Sequence, residues 1–258
     1  LDPDYSQVFK NLATDVYDPE MILDVEFTEN KWSTFPYIFG PSENGSDQNP
    51  DGGGQGGSGK VNIEWLRTLD KNDERKKWNI ADYIYSSPTS WNTQPQPDSN
   101  SFTTSSFQKW PKYFPGYWEN YLTNWPLIRL AEIKLLYAEA VNEAEGGPNV
   151  EAYAQINQVR YRARPADHKL DGTVLPDLSG LNQSEFRNAI MAERAIELVS
   201  EGYRKFDLIR WGNLKEKVDA CKSQQVVIAY GGMNPRYYLS PLPQRDMDIN
   251  GWKQNDGF

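Results

Sequence analysis

The sequence is poor in the residues that build metal centres, disulfide bonds and membrane spans. Among 258 residues there is one cysteine, Cys221, and one histidine, His168. A single cysteine excludes an intrachain disulfide, and a single histidine excludes a metal site built from several histidines. No apolar run approaches the roughly 18 consecutive residues that identify a membrane-spanning helix, so the sequence predicts no such helix.

Positive charge is also scarce. The chain has 27 Lys and Arg residues against 36 Asp and Glu residues, a formal net charge of -9. Proteins that bind nucleic acid use an excess of basic side chains to neutralise phosphates, so we expect no nucleic-acid partner. The excess of acid is concentrated in residues 1–60, where it would repel polyanions.

Aromatic residues are abundant: nine Trp, 15 Tyr and ten Phe make up 13% of the chain. Many of them lie in residues 91–125, among Pro, Ser, Thr, Asn and Gln residues with little periodicity. A second aromatic segment, residues 31–39, precedes a glycine-rich loop at 40–59. Sugars present C–H faces that stack on aromatic rings and hydroxyls that bind amides and carboxylates. This composition is therefore compatible with a carbohydrate-binding surface.

From residue 126 onward the pattern is helical. Pro126 suits the first turn of a helix that would end at the Gly-Gly-Pro sequence of residues 146–148. Asn149 is the predicted N-cap of a second helix that ends near Arg162, and so short a connection requires antiparallel packing. The Asn182–Glu185 spacing of a capping box opens a third helix.

We therefore predict a mainly α fold, a tetratricopeptide-like helical scaffold with long irregular loops and a few short strands. Residues 1–125 would form a loop-rich, aromatic-rich region that faces the ligand. Residues 126–258 would form a helical region, and the two would be parts of one continuous domain.

Glu193, Glu197 and Glu201 recur every four residues, so they share one helical face and would repel one another if unpaired. Nearby bases alternate with these acids. We therefore interpret the segment as a structural ion-pair network that fixes how successive helices meet, and not as a carboxylate active site. The predicted members are Glu193, Arg194, Glu197, Glu201, Arg204, Asp207 and Arg210.

The usual catalytic arrangements find little support. A Ser-His-Asp site would need His168, which lies in a polar loop without a nucleophile-elbow motif. A Cys-His pair would need Cys221, near a charged helix end. Acids are numerous enough to leave a glycosidase carboxylate pair open, although no pair stands out. Asp- and Asn-rich loops could hold calcium, but no EF-hand spacing is present, and we predict no cofactor.

Five segments together resemble one family. The most distinctive runs from Ala192 to Gly212 and contains Ala-Glu-Arg-Ala-Ile-Glu-Leu-Val-Ser-Glu-Gly-Tyr-Arg-Lys-Phe-Asp-Leu-Ile-Arg-Trp-Gly. The others are residues 70–75, 126–140, 152–160 and 239–258. These motifs are similar to those of the SusD/RagB family, the surface glycan-binding lipoproteins of Bacteroidetes outer membranes, and the resemblance covers roughly residues 60–258.

The resemblance implies a non-enzymatic protein that binds oligosaccharide at the cell surface. It would deliver the ligand to a SusC-like TonB-dependent transporter of the outer membrane. Family members are longer, so we expect this chain to be the carboxy-terminal portion, without the amino-terminal half. Membrane contact would be made only through a lipid anchor that is absent from this chain.

By the same resemblance, the ligand loops of this half precede the helical signature. We expect Trp32, Tyr37 and Trp91 to stack on sugar, with Asn92, Asp70 and Arg75 as polar contacts. Three other tryptophans are expected to pack in the core: Trp125, Trp211 and Trp252. The alternative is a helical-repeat scaffold that binds proteins, on the strength of the hairpin at 126–162. A glycosidase is the less favoured third hypothesis.

Overall fold

The computed structural model describes residues 1–28, 63–81, 83–87, 90–95, 106–107, 123–220, 238–256 and 258. The chain divides into two compact units, Leu1–Glu201 and Gly202–Phe258. Within the described residues, no helix is both long enough and apolar enough to cross a membrane.

The first unit contains six α-helices and six short strands among its described residues. The helices are α1 (Tyr5–Ala13), α2 (Ile63–Thr68), α3 (Glu74–Asn79), α4 (Leu130–Glu145), α5 (Val150–Ala163) and α6 (Gln183–Glu197). The strands are β1 (Met21–Val25), β2 (Ile80–Ala81), β3 (Tyr83–Ser87), β4 (Ser90–Pro95), β5 (Ser106–Phe107) and β6 (Trp125–Arg129). A single 3-10 turn, Ala166–His168, follows α5.

The strands form three antiparallel pairs. β1 pairs with β6, with Met21 opposite Arg129 and Val25 opposite Trp125. β2 pairs with β5, and β3 and β4 form a hairpin in which Ser87 lies opposite Ser90.

The second unit contains three described helices: α7 (Arg204–Arg210), α8 (Leu214–Asp219) and α9 (Gln244–Asn250). The mainly helical class with a few short strands, predicted from the sequence, is therefore confirmed.

The main hydrophobic core lies where α4, α5 and α6 meet. Its members recur at three- and four-residue spacing on each helix, as a buried helical face requires. Small alanines on α4 and α5 allow these helices to approach closely, and burying each larger side chain contributes about 1.5–3 kcal/mol. The fully buried members are Ala131, Leu135, Ala138, Ala152, Ile156, Val159, Phe186 and Ile190.

A second core cluster surrounds α1. Phe9 packs against Tyr5 with ring centres 5.2 Å apart, and Val8 and Leu12 fill the same face of the helix. The partly buried Trp125 of β6 packs against this cluster. The second cluster therefore joins the start of the chain to the strand that leads into α4.

The helix ends follow the predicted chemistry at several positions. The Asn149 side chain accepts a hydrogen bond from the backbone N–H of Ala152 at 2.9 Å. Helix α5 begins at the residue after Asn149. Asn182 and Glu185 form a reciprocal capping box at the start of α6. Both features satisfy backbone donors that a helix leaves unpaired in its first turn.

The predicted helix start at Pro126 is wrong. Residues 125–129 form β6, and α4 begins only at Leu130. The cause is a tertiary contact, because β6 pairs with β1, about 100 residues earlier in the chain. Each strand of a two-stranded sheet has a free edge, where proline is tolerated. The hairpin of β3 and β4 was also missed, in a segment without clear periodicity.

A substitution at Gly146 tests the role of this glycine at the end of α4. This residue has φ 74° and ψ 17°, in the left-handed region that side chains disfavour. We expect Gly146→Ala to destabilise the protein by about 1–2 kcal/mol, measured by urea denaturation. Gly147→Ala is the matched control. Gly147 does not have a left-handed φ, and the space around it is open. It should be neutral or slightly stabilising; equal costs for the two variants would contradict the argument.

Candidate functional site

The centre of the first unit is a buried cluster of charged side chains around Glu197, at the end of α6. Its carboxylate has no solvent exposure. Oε1 accepts a hydrogen bond from Nη1 of Arg129 at 2.7 Å and also pairs with Arg162. Oε2 accepts from Nη1 of Arg75 at 3.2 Å. One carboxylate thus contacts three arginines, which come from β6, α5 and α3.

Arg129 links Glu197 to two further acids, Glu201 and Glu20, and Glu20 immediately precedes β1. Its Nε and Nη2 donate to the two carboxylate oxygens of Glu201 at 2.8 and 2.9 Å. Its Nη1 also donates to Glu20 at 2.8 Å, and Glu20 in turn pairs with Arg162. The planar guanidinium suits this arrangement, because its five N–H groups can bind several carboxylates in fixed directions.

Arg75 carries the cluster toward α3. It donates from Nε and Nη2 to Asp73 at 3.0 and 2.8 Å and pairs with Glu193 of α6. Nη1 of Arg160 donates to the other oxygen of Glu193 at 2.9 Å. We call the whole set the buried ion-pair network. Its members are Glu20, Asp73, Arg75, Arg129, Arg160, Arg162, Glu193, Glu197 and Glu201.

The electrostatic balance of the network keeps it charged. Burial alone would raise the pKa of Glu197, but Arg162, Arg129 and Arg75 together hold that pKa far below its ordinary value. Burial would likewise lower the pKa of Arg129, yet Glu201, Glu197 and Glu20 raise it. The paired charges therefore stabilise one another in their ionised forms.

The structure places Glu193, Glu197 and Glu201 in this network, but their partners include arginines remote in sequence. Arg194 lies 4.0 Å from Glu132 of α4. In the second unit, Arg210 pairs with Asp207 at 2.9 Å, and Arg204 lies 5.9 Å from the Trp211 ring centre.

Sequence reasoning missed five network members: Glu20, Asp73, Arg129, Arg160 and Arg162. Asp73, Arg129 and Arg160 belong to the segments that carried the family resemblance, and this was the only available signal. Nothing in their spacing from Glu197 connects them to it, because the fold brings them together from separate elements.

Arg75 requires a correction. It was predicted to contact ligand, but it is 1% exposed and its donors bind three carboxylates of the network. A sugar could reach it only by breaking buried ion pairs, so we assign Arg75 a structural role. Asp70, in contrast, is exposed in the turn before α3 and accepts the Asn72 backbone N–H at 2.8 Å.

The remaining predicted ligand residues are placed less fully. Trp91 and Asn92 are the second and third residues of β4, beside the Ser87–Ser90 pair that closes the hairpin. Trp32 and Tyr37 lie outside the described residues. The hairpin follows α3 and β2 in the chain, and Arg75 anchors α3 to the buried ion-pair network. The network therefore holds the helix that precedes the hairpin.

The three tryptophans expected to pack in the core differ in how far they are buried. Trp125 is half-buried against the α1 cluster, as expected. Trp211 is half-buried, and Arg210 lies 4.6 Å from its ring centre. The prediction for Trp252 is wrong, since this residue is 57% exposed.

These features define a helical scaffold held together by buried ion pairs, with short strand pairs before and beside the helices. The profile of the SusD family matches residues 19–258. The chain therefore belongs to the SusD family.

Individual relatives agree with this assignment. SusD-like protein P25 of Formosa agariphila is 34% identical over 131 residues, which are 51% of this chain and 23% of that protein. A SusD homologue from Bacteroides thetaiotaomicron superposes with a TM-score of 0.81 at 28% identity, covering 100% of this chain and 56% of the other. This chain thus spans about half the length of that solved relative.

A further solved structure shares the fold at lower identity. Surface glycan-binding protein A from Bacteroides thetaiotaomicron, in complex with laminarihexaose, gives a TM-score of 0.63 at 20% identity. The alignment covers 99% of this chain and 55% of that protein.

Removing the central charge should be costly. We expect Glu197→Gln to destabilise the first unit by about 3–5 kcal/mol, because it leaves buried arginines without full compensation. Urea denaturation followed by circular dichroism measures the change. The control is Glu143→Gln, which weakens the largely exposed pair between Glu143 and Arg187 and should cost at most about 1 kcal/mol. Similar losses in both variants would argue against a central role for Glu197.

The same carboxylate predicts how stability depends on pH. Since the folded-state pKa of Glu197 lies well below its ordinary value of 4.5, its contribution is complete above that value and is lost as the pH falls below it. We expect the urea midpoint of the wild type to fall between about pH 5 and pH 3. Glu197→Gln should show a smaller fall than wild type, whereas Glu143→Gln should retain most of the wild-type slope. An unchanged slope in Glu197→Gln would contradict this assignment.

Proposed function

We propose that this chain binds oligosaccharide without breaking any bond in it. The observation that carries the proposal is membership of the SusD family. In addition, 100% of this chain aligns with a solved SusD homologue. A neighbour of the same fold is known in complex with laminarihexaose, which supports a glucan oligosaccharide as the first ligand to test.

The sequence adds a candidate surface to the fold. The aromatic-rich segments at 31–39 and 91–125 offer rings for stacking and amides for hydroxyl groups. Trp91 and Asn92 lie at the start of β4, and α3, close before it in the chain, is fixed by Arg75. A rigidly held site reduces the entropy lost when a ligand is immobilised. We therefore place the sugar-binding surface at these segments, with Trp32, Tyr37 and Trp91 as stacking residues and Asn92 and Asp70 as polar contacts.

The biological role that fits this chemistry is nutrient capture. The protein would act at the surface of the outer membrane and deliver the bound oligosaccharide to a TonB-dependent, SusC-like transporter. The family membership supports this role. The formal net charge of -9 separately disfavours nucleic acid as a partner.

Calorimetric titration with laminarihexaose, followed by a panel of other neutral oligosaccharides, tests the proposal. We expect one member of the panel to bind and Trp91→Ala to weaken that binding at least about tenfold, the equivalent of 1.4 kcal/mol. Trp91→Phe should retain most of the affinity, because a phenyl ring still stacks on sugar.

The matched control is Trp252→Ala, which removes a tryptophan that is 57% exposed in the second unit and should leave affinity unchanged. Circular dichroism of each variant verifies folding. Wild-type affinity in Trp91→Ala would remove residue 91 from the site, and the absence of binding across the panel would overturn the proposed function. Release of reducing ends from any bound oligosaccharide would identify a glycosidase instead.

A further inference from the structure

A cleft of about 380 Å³ opens in the first unit, between the start of α1, α3 and the segment that follows α5. Its volume lies within the ~300–1,000 Å³ typical of ligand sites. Five of its lining residues are lysine or arginine, and only two are acidic. This local excess of base is unusual for a chain whose net charge is -9.

Three of the five basic residues are neutralised by neighbours. Arg162 pairs with Glu20 and Glu197 in the buried ion-pair network. Arg164 pairs with Asp177, and Lys77 with Glu74 at 2.6 Å. These residues therefore do not account for a positive cleft.

The other two, Lys10 and Lys169, have no carboxylate at ion-pair distance in the part of the chain that the structure describes. Nζ of Lys10 donates to the Ser6 hydroxyl at 2.7 Å, and Nζ of Lys169 donates to the Arg162 carbonyl at 3.0 Å. A lysine ammonium carries three N–H donors, so each retains donors for a ligand.

The lining also contains buried donors that lack an acceptor. Nε1 of Trp78 and Nε of Arg162 are both buried without a hydrogen-bond partner among the described residues. Each such group costs about 1–3 kcal/mol unless an acceptor reaches it. The second acidic lining residue, Asp4, accepts the backbone N–H and the hydroxyl of Ser6 with its Oδ1 at 2.8 and 2.9 Å. Its charge offsets one of the two lysines, so the cleft keeps a net positive charge.

We propose that this cleft binds an anionic group, a carboxylate or a sulfate, held between Lys10 and Lys169 with Trp78 as one wall. Positive charge and unpaired donors are what the cleft has in excess, and an anion supplies the missing charge and acceptors. The charges and donors that define the cleft belong to described residues other than the predicted stacking residues, so this site does not rest on the proposed function.

The electrostatics of Lys169 agree with this assignment. Burial lowers the pKa of Lys169, and the nearby charges of Arg162 and Arg164 lower it further, while Asp4 and Glu74 raise it. An anion in the cleft would favour the charged form of Lys169 and so oppose these effects.

Titration calorimetry with three probes tests the site: sodium sulfate, glucuronic acid and glucose. We expect both anions to bind and glucose not to bind, with affinity falling as sodium chloride is raised, because salt screens the attraction. Tighter binding of glucuronic acid than of sulfate assigns the site to an acidic sugar. Equal binding assigns it to an isolated anion.

Two charge-matched double variants locate the site. Lys10→Gln with Lys169→Gln should weaken anion binding at least tenfold. Lys71→Gln with Lys253→Gln changes two exposed lysines outside the cleft and should bind as the wild type does. Trp78→Phe keeps an aromatic wall but removes the unpaired N–H, so it should weaken binding by a smaller factor.

Failure of the wild type to bind either anion would overturn the proposal, as would equal weakening in the two double variants. Both outcomes are independent of neutral oligosaccharide binding, which tests the proposed function separately.

Discussion

The carboxylate of Glu197 sits where three arginines from three different elements converge. A charge removed from water costs several kcal/mol unless paired charges and hydrogen bonds replace the lost hydration. Arg75, Arg129 and Arg162 supply that replacement, and each also binds a further acid. The arrangement is satisfied only when α3, β6, α5 and α6 are all in place, so it acts as a geometric constraint on the whole first unit.

The apolar cores and the buried ion-pair network have different physical effects. Packing of α4, α5 and α6 around Leu135, Ile156 and Phe186 supplies a large but non-directional driving force. A helix could slide or rotate and still bury much the same area. The network penalises such displacement, because moving one element leaves a buried charge without its partner. We therefore interpret the network as the source of a unique helix arrangement rather than of net stability.

These separate effects of the apolar cores and the buried ion-pair network suit a binding protein. The aromatic segments proposed to bind sugar are joined along the chain to elements that the network holds. The basic cleft shares Arg162 with the network. A neutral stacking surface and a separate anion site would let one protein recognise different features of a carbohydrate. The family supplies the first idea, whereas the second comes from unbalanced charges and unpaired donors in this chain.

The sequence was sufficient for features that depend on neighbouring residues. Asn149 and the Asn182–Glu185 pair began their helices as expected, because a cap is satisfied within one turn. The motif at residues 192–212 helped to identify the family and contained three acids of the network, Glu193, Glu197 and Glu201, but not Glu20 or Asp73. Features that depend on distant partners were not accessible: β6 replaced the helix start at Pro126 because β1 pairs with it.

Arg75 shows the same limit at the candidate site. The family resemblance suggested a ligand contact for Arg75, because the ligand loops were expected to precede the helical signature. No local pattern indicates that Glu193 and Glu197, more than 100 residues later, enclose it. The sequence by itself determined the helical class, the caps and the charge inventory, since these follow from periodicity and composition. Only the tertiary structure decided which charges meet, because ion pairing depends on distances in space that chain spacing does not encode.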